Sequence, residues 1–170
     1  KRQGGSLDVN GQSLAVGSLA LNSGATTLMG ISGTSVGLYD QVVAATSVGF
    51  GGALSLDFKQ GGFAVDDLWQ LFSGSSYSGH FSSVSATGSY GELVFSYLGD
   101  GEWKATGGLL ASGQSLSFYE TNDHAFGELF TAGQLVLVPE PSTCVIAGIG
   151  VVLAGCCGWR RRRVRGARCA

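Results

Sequence analysis

The first 143 residues contain no cysteine, because all four cysteines of the chain lie at or after position 144. This part of the chain therefore cannot form a disulfide, and its stability has to come from packing and hydrogen bonding. Proline is also scarce, with two residues, Pro139 and Pro141. A chain of about 140 residues is nevertheless long enough to bury one hydrophobic core of ordinary size.

Basic side chains are scarce before position 139. Residues 1–138 carry four of them against eleven acidic side chains, a formal net charge of −7. Phosphate binding requires clustered Lys and Arg, so we expect no nucleic acid as a partner. The charge of −2 for the whole chain averages this acidic part with a basic C-terminus.

Residues 1–137 also lack any run of ten residues with a helical hydrophobic stripe. They have abundant glycine and serine instead, together with short segments in which apolar and polar residues alternate, as strands with one buried face do. The content of aliphatic and aromatic residues is too high for a disordered chain. The sequence predicts an all-β fold, with alternation clearest at Leu54, Leu56 and Phe58, at Leu93, Phe95 and Tyr97, and at Leu135 and Leu137.

A glycine followed by alternating apolar positions recurs at Gly11, Gly52, Gly91, Gly113 and Gly133. Successive glycines of this set are separated by one or two multiples of about twenty residues. This spacing predicts a glycine-rich β-solenoid, closing into antiparallel strands near its end. An antiparallel β-sandwich, with hairpin turns at Asp100-Gly101 and Gly107-Gly108, is the alternative. In the solenoid, we expect the large aromatics to cap the open end, namely Trp69, Phe72, Phe81, Phe95, Trp103 and Phe118.

The candidate residues for chemistry are few. His80 and His124 have no second His or Cys at metal-ligand spacing, and no Gly-x-Ser-x-Gly motif anchors a catalytic triad. We therefore expect no enzyme, no metal and no cofactor. The polar group Asn122-Asp123-His124, with Glu120 and Glu128 nearby, is interpreted as a surface loop rather than a small polar site.

Two further groups have both a binding and a structural interpretation. Asp66-Asp67 offers hard oxygen ligands for Ca²⁺, but a solvated turn or the first turn of a short helix is favoured because no calcium-loop motif surrounds it. Aromatic rings that are exposed would stack on sugars, but the usual role of an aromatic side chain is packing in the core. The aromatics considered are Tyr77, Phe81, Tyr90, Tyr97, Trp103 and Tyr119.

Three features follow one another at the C-terminus. Val138-Pro139-Glu140-Pro141-Ser142 favours a stiff extended conformation, because proline fixes φ and restricts the residue before it. Residues 143–159 carry no charge and are just long enough to cross a bilayer as a transmembrane helix. Arg160, Arg161, Arg162 and Arg163 then place residues 160–170 in the cytoplasm and residues 1–142 outside. The alternative is a buried soluble helix followed by a solvated or nucleic-acid-binding basic tail.

This three-part pattern resembles a PEP-CTERM sorting signal, found on exported proteins of many Gram-negative bacteria, over residues 138–163. The resemblance implies that an exosortase, a membrane-embedded cysteine transpeptidase, recognises the signal and removes the tail. It implies residues 138–142 as the processing motif and Arg160–Arg163 as the stop signal. It further implies transient anchoring in the inner membrane through residues 143–159, then transfer to the cell surface or extracellular matrix.

A second resemblance concerns the β-rich part. Residues 14–28 resemble the autotransporter-associated β-strand repeats of large exported bacterial proteins, and residues 31–54 resemble the passage that often follows them. This resemblance implies a β-helical surface protein without a catalytic residue. Because the sequence begins Lys1-Arg2-Gln3 and has no apolar signal peptide there, we expect residues 1–137 to be the C-terminal part of a longer precursor.

The sequence thus favours an exported structural or adhesive protein, with the exosortase and the inner membrane as partners during sorting. Extracellular polysaccharide is a further candidate partner. The alternative function is a carbohydrate-binding region, or the C-terminal part of a polysaccharide-degrading β-helix enzyme. A third interpretation is a permanent single-pass surface protein that keeps its arginine-rich tail.

Overall fold

The computed structural model describes residues 5–9, 12–122 and 131–140. The chain divides into two compact units, Lys1–Pro139 and Glu140–Ala170, and all described strands belong to the first. The described residues form sixteen strands in four sheets and no helix, which confirms the predicted all-β class. The strands are β1 Ser6–Asp8, β2 Ser13–Val16, β3 Leu19–Ala20, β4 Thr26–Ile31, β5 Gln41–Ala44, β6 Ser47–Phe50, β7 Ala53–Phe58, β8 Leu68–Gln70, β9 Phe72–Ser73, β10 Ser76–Gly79, β11 Ser83–Gly88, β12 Leu93–Val94, β13 Ser96–Gly99, β14 Glu102–Thr106, β15 Gln114–Tyr119 and β16 Gln134–Pro139.

Three of the sheets are built by parallel pairing. Sheet 1 has the order β1-β4-β7-β11-β12, in which every pair is parallel except β11 with β12. Sheet 2 has the order β2-β5-β9 and sheet 3 the order β3-β6-β10, both entirely parallel. The chain visits sheets 1, 2 and 3 in turn and then returns to sheet 1, so each round lies beside the previous one.

The registers of sheet 1 give the length of each round. Ser6 pairs with Thr26, Thr26 with Ala53 and Ala53 with Ser83, which are separations of 20, 27 and 30 residues. The later rounds are longer because residues 32–40 and 59–67 add loops between sheets 1 and 2. The glycine pattern predicted rounds of about twenty residues, and this prediction is wrong beyond the first round.

Alternate residues of the parallel strands point inward and stack in register. Met29 pairs with Leu56 and Leu56 with Ala86, and none of the three side chains is exposed. The predicted alternation in β7 is confirmed, since Leu54, Leu56 and Phe58 are buried while the intervening residues are half-buried. Stacking of like positions gives each round the same inward face, so one continuous apolar core runs through the three sheets.

Glycine permits the close approach of successive rounds at the corner before sheet 1. Gly52 has φ +73°, and a Cβ atom there would lie 2.0 Å from the carbonyl oxygen of Ala25. The same carbonyl accepts a 2.8 Å hydrogen bond from the amide of Ala53, and the carbonyl of Gly52 accepts one of 2.6 Å from Ser82. A side chain at position 52 would break this ladder, so the sequence needs glycine here.

The fourth sheet is antiparallel, with the order β13-β14-β15-β16-β8. The predicted hairpin turn at Asp100-Gly101 is confirmed: φ is positive at both residues, and they join β13 to β14. Strand β8 lies within the third round of the parallel region, so sheet 4 and the parallel sheets share one segment. Gly113 and Gly133 precede β15 and β16 of this sheet and do not begin further parallel rounds.

The six large aromatics of the sequence prediction are all at least 93 % buried and belong to one hydrophobic cluster of the described residues. The ring centroids of Phe72 and Phe118 lie 6.2 Å apart, and those of Phe81 and Phe118 lie 6.0 Å apart. Phe50 of β6 contacts all three rings. These contacts join the parallel strands to sheet 4, with Phe118 of β15 at the junction.

Candidate functional site: the end of β16

The predicted processing motif begins inside the fold. Val138 and Pro139 are the last residues of β16, paired with Ser115 and Gln114 of β15. Proline is tolerated there because a missing N–H costs least at a strand end. Both residues have the extended conformation that the sequence predicted, but they have it as part of a sheet. Glu140, half-buried, follows directly.

Strand β16 is held on both edges. Its residues pair with β15 along their whole length, from Tyr119 with Gln134 to Gln114 with Pro139. On the other edge, β8 pairs with residues 134–136. Beyond β8, Leu137 donates a 3.0 Å hydrogen bond to the carbonyl of Asp67, and its carbonyl accepts one of 2.8 Å from the amide of Asp66. The doubly paired part of β16 therefore ends at Leu137.

Burial ends at the same place. Leu135 and Leu137 are fully buried and Val136 is 2 % exposed, whereas Val138 is half-buried and Pro139 is exposed. Pro141, Ser142, the apolar run of residues 143–159 and Arg160–Arg163 lie outside the described residues. Within the described ranges, no helix is long and apolar enough to span a membrane.

A second feature is a cleft of about 410 Å³ on the outer face of sheet 1. Its lining combines the carboxylates of Asp8, Asp40 and Asp57 with the ammonium of Lys59 and the apolar side chains of Leu28 and Leu38. The first round contributes Asp8, the second contributes Leu28, and the third contributes Asp57 and Lys59. Three acids against one base leave the cleft with a formal charge of −2.

The cleft is organised by Asp40, which is 2 % exposed. Its Oδ2 accepts a 2.7 Å hydrogen bond from the amide of Gly30, and its Oδ1 accepts one of 3.2 Å from the amide of Gln12. At the open side, Lys59 donates to Asp57, forming an ion pair. The hydrogen bond and charge of Asp57 raise the pKa of Lys59, with smaller contributions from the charges of Asp8 and Asp40.

The structure also pairs two residues that the sequence did not connect. Glu120 has no exposed surface; its Oε1 accepts a 2.7 Å hydrogen bond from the amide of Phe81, and its Oε2 lies 2.9 Å from His80 Nδ1. Glu120 is therefore a buried anchor between the end of β15 and the corner before β11, and its interpretation as part of a surface loop is wrong. Asn122 accepts a hydrogen bond from the amide of Ala132, while Asp123, His124 and Glu128 lie outside the described residues.

The other candidates have structural positions. Asp66 has φ +71° in an exposed turn, and Asp67 accepts a hydrogen bond from the amide of Ala64, which confirms the solvated turn. Phe81, Tyr90, Trp103 and Tyr119 are buried, Tyr77 is half-buried, and Tyr97 is 45 % exposed. Within residues 5–9, 12–122 and 131–140, no group of three or more His, Cys, Asp or Glu side chains is placed to hold a metal ion.

The comparison with protein families identifies the C-terminal part. Residues 137–163 match the family described as the PEP-CTERM protein-sorting motif. No curated protein and no solved structure matches the chain. The resemblance to autotransporter-associated repeats has no support from these comparisons.

The described part of the chain is thus all-β, and the chain carries a PEP-CTERM protein-sorting motif whose match starts within β16. Such a signal implies an exported protein that is sorted via the membrane and processed by an exosortase.

Proposed function

We propose that this chain is a structural or adhesive protein of the surface or extracellular matrix of a Gram-negative-type bacterium, without catalytic activity. In this proposal, residues 143–159 form a helix that anchors it transiently in the inner membrane, with residues 160–170 in the cytoplasm. The match of residues 137–163 to the sorting motif carries the proposal.

We further propose that sheets 1, 2 and 3 form a β-solenoid, with sheet 4 as its antiparallel cap. Three observations support this: strands recur in the order of sheets 1, 2 and 3, successive rounds pair in parallel, and inward residues such as Met29 and Leu56 stack in register. The stacked rounds give a stable scaffold without disulfides, which suits an extracellular structural protein.

A second candidate function is saccharide binding at the cleft of sheet 1. The carboxylates of Asp8 and Asp57 are suited to accept hydrogen bonds from sugar hydroxyls, while Leu28 and Leu38 offer an apolar surface to a sugar ring. Stacking on aromatic rings supports it less, because four of the six aromatics considered are buried. Binding to a panel of cell-wall and matrix glycans tests this candidate. Asp57→Ala should weaken binding about tenfold or more while Asp66→Ala, outside the cleft, leaves it unchanged.

The leading proposal is tested in the native host with the full-length protein. In cells with the exosortase, the protein should reach the surface fraction without residues 160–170. Deletion of the exosortase should leave a membrane-bound form that keeps the arginines. Glu140→Ala should have the same effect as the deletion, while Glu92→Ala, an acid outside the motif, should be processed normally. Equal processing of the wild type and Glu140→Ala would contradict the proposal.

A further inference from the structure

The lining of the cleft on sheet 1 combines a gap in the outer face of β4 with an excess of acidic side chains. We infer that this cleft binds a neutral saccharide ring and excludes sugars that carry acidic groups, and that Gly30 forms the floor of the site. This inference rests on the second candidate function. It adds the class of sugar and the residue that makes room for it.

Gly30 leaves space on the outer face of the sheet. Leu28 and Gly30 lie on this face, because the residues that alternate with them in β4 are buried in the core. The φ of Gly30 lies outside the left-handed region, so the backbone conformation does not require glycine. Glycine inside a strand weakens it and often marks a place where a ligand approaches closely. A Cβ atom here would lie 3.4 Å from Asp40 Oδ2 and 4.0 Å from Lys59 Cε, in the space that these side chains border.

Asp40 holds one wall of the cleft in place. Strand β1 ends opposite Leu28, and beyond it Asp40 takes over the edge of β4. The amide of Gly30 donates a 2.7 Å hydrogen bond to Asp40 Oδ2, and the carbonyl of Gly30 accepts one of 2.9 Å from the amide of Asp40. Because Asp40 is 2 % exposed and bonded in this way, the fold itself orders this wall before any ligand binds. Preorganisation of this kind reduces the entropy lost on binding.

The accessible part of the lining matches the two kinds of surface that a sugar ring presents. Leu28 is 37 % exposed and Leu38 is 50 % exposed, so both offer apolar contact to the C–H groups of a ring. The carboxylates of Asp8, which is exposed, and Asp57, which is partly exposed, accept hydrogen bonds from hydroxyl groups. A volume of about 410 Å³ is near the lower end of the range for ligand sites, which suits one ring better than a long segment of polymer.

The charge of the lining determines which sugars are compatible with it. Lys59 is the one base among the described lining residues, and its ammonium is already paired with Asp57. An acidic sugar would place its own negative charge beside three carboxylates, and like charges at such short range repel. A neutral sugar donates hydrogen bonds from its hydroxyl groups to the same carboxylates without adding a like charge. The cleft therefore selects for neutral rings.

Matched pairs of tetrasaccharides test the selectivity on the full-length protein isolated from its host. The probes are the tetramers of glucose, galactose and mannose, each with its counterpart oxidised at C6 to the uronic acid. Isothermal titration calorimetry at low ionic strength should show a neutral tetramer binding about tenfold or more tightly than its acidic counterpart. Equal or tighter binding of the acidic counterparts would overturn the inference while leaving saccharide binding in place. Absence of binding by every probe would overturn the second candidate function, and the inference with it.

Filling the gap tests the role of Gly30. Gly30→Val occupies the floor of the cleft without changing a charge, so the affinity for the neutral tetramer should fall about tenfold or more. Gly17→Val is the matched control, because Gly17 has open space around it and does not line the cleft. Thermal denaturation of both variants shows whether a loss of binding comes from loss of the fold. Unchanged affinity in a folded Gly30→Val variant would overturn the inference.

A change of charge at constant shape tests the selectivity independently. Asp57→Asn keeps the size of the side chain but removes the acidic partner of Lys59. The preference for the neutral over the acidic tetramer should therefore fall about tenfold, whereas Asp66→Asn, outside the cleft, should keep it. The same preference in Asp57→Asn as in the wild type would overturn the inference, because it would show that these charges do not select the ligand.

Discussion

Trp69 Nε1 donates a 2.9 Å hydrogen bond to the carbonyl oxygen of Gly33. This bond connects β8 of the antiparallel sheet to the loop that follows β4 of the parallel sheet. The indole is fully buried and packs edge-on against Phe58 and Phe63, with ring centroids 5.9 and 5.1 Å away. One side chain thus joins the two parts of the fold through packing and through a directional polar contact.

Replacement of the Trp69 indole should lower the free energy of unfolding. Trp69→Phe removes the donor to Gly33 and leaves a small cavity, so we expect a loss of about 2–3 kcal/mol in the free energy of unfolding. Trp103→Phe is the matched control, because Trp103 Nε1 is buried and has no hydrogen-bond partner in the described part of the chain. Urea denaturation should show a clearly smaller loss for the control. Equal losses would mean that the bond to Gly33 contributes nothing.

The corner before sheet 1 provides a second test. Gly52→Ala puts a methyl group 2.0 Å from the carbonyl oxygen of Ala25, so we expect a loss of at least about 3 kcal/mol or failure to fold. Gly62→Ala is the control, since Gly62 has a similar φ of +80° with open space around it. It should cost about 1 kcal/mol through backbone strain alone. Similar thermal midpoints for the two variants would contradict the close stacking of successive rounds.

The buried carboxylate of Glu120 should contribute more to the free energy of unfolding than its exposed partner, His80. Glu120→Ala leaves the buried amide of Phe81 without its acceptor, which should cost about 1–3 kcal/mol. His80→Ala should cost at most about 1 kcal/mol, because 58 % of the His80 side chain is exposed to solvent. Chemical denaturation of both variants at neutral pH makes the comparison. A larger loss for His80→Ala would show that the contact with His80, not the amide contact, is the anchor.

Alkaline pH should destabilise the fold through buried tyrosines. Burial is the main cause that raises the pKa of Tyr90 and of Tyr119. The folded chain therefore holds these protons at a pH where the unfolded chain has released them, so stability is full below the ordinary tyrosine pKa of about 10 and falls above it. Urea denaturation between pH 8 and 11 should give a steeper loss for the wild type than for Tyr90→Phe with Tyr119→Phe. Parallel curves would contradict this expectation.

Local patterns in the sequence predicted local features of the fold. Alternation in β7 and the Asp100-Gly101 turn depend on neighbouring residues, and both were recognisable. Gly113 and Gly133 were counted as starts of solenoid repeats, but they precede antiparallel strands. The sequence did not distinguish the two cases, because a glycine turn before an alternating strand occurs with both parallel and antiparallel pairing. Which strand a segment pairs with depends on distant residues, as β8 and β16 illustrate.

The candidate sites also differ in whether their residues are neighbours in the sequence or distant in it. The sorting motif is contiguous, so the sequence was sufficient to recognise it. The contact of His80 with Glu120 spans 40 positions and has no local signature. The cleft gathers Asp8, Asp40 and Asp57 from separate rounds, and their proximity follows only from register and from the loop before β5. These three carboxylates could have been placed together from the sequence only if the lengths of the rounds, 20, 27 and 30 residues, had been known.

Exosortase processing of this chain is best tested by the intact mass of the surface-fraction protein, compared between host cells with and without the exosortase. In cells with the exosortase, we expect the protein to lack the mass of residues 160–170. In cells without it, the protein should keep that mass and remain with the membranes. An unprocessed tail in both strains would show that the sorting motif of this chain is not processed by an exosortase.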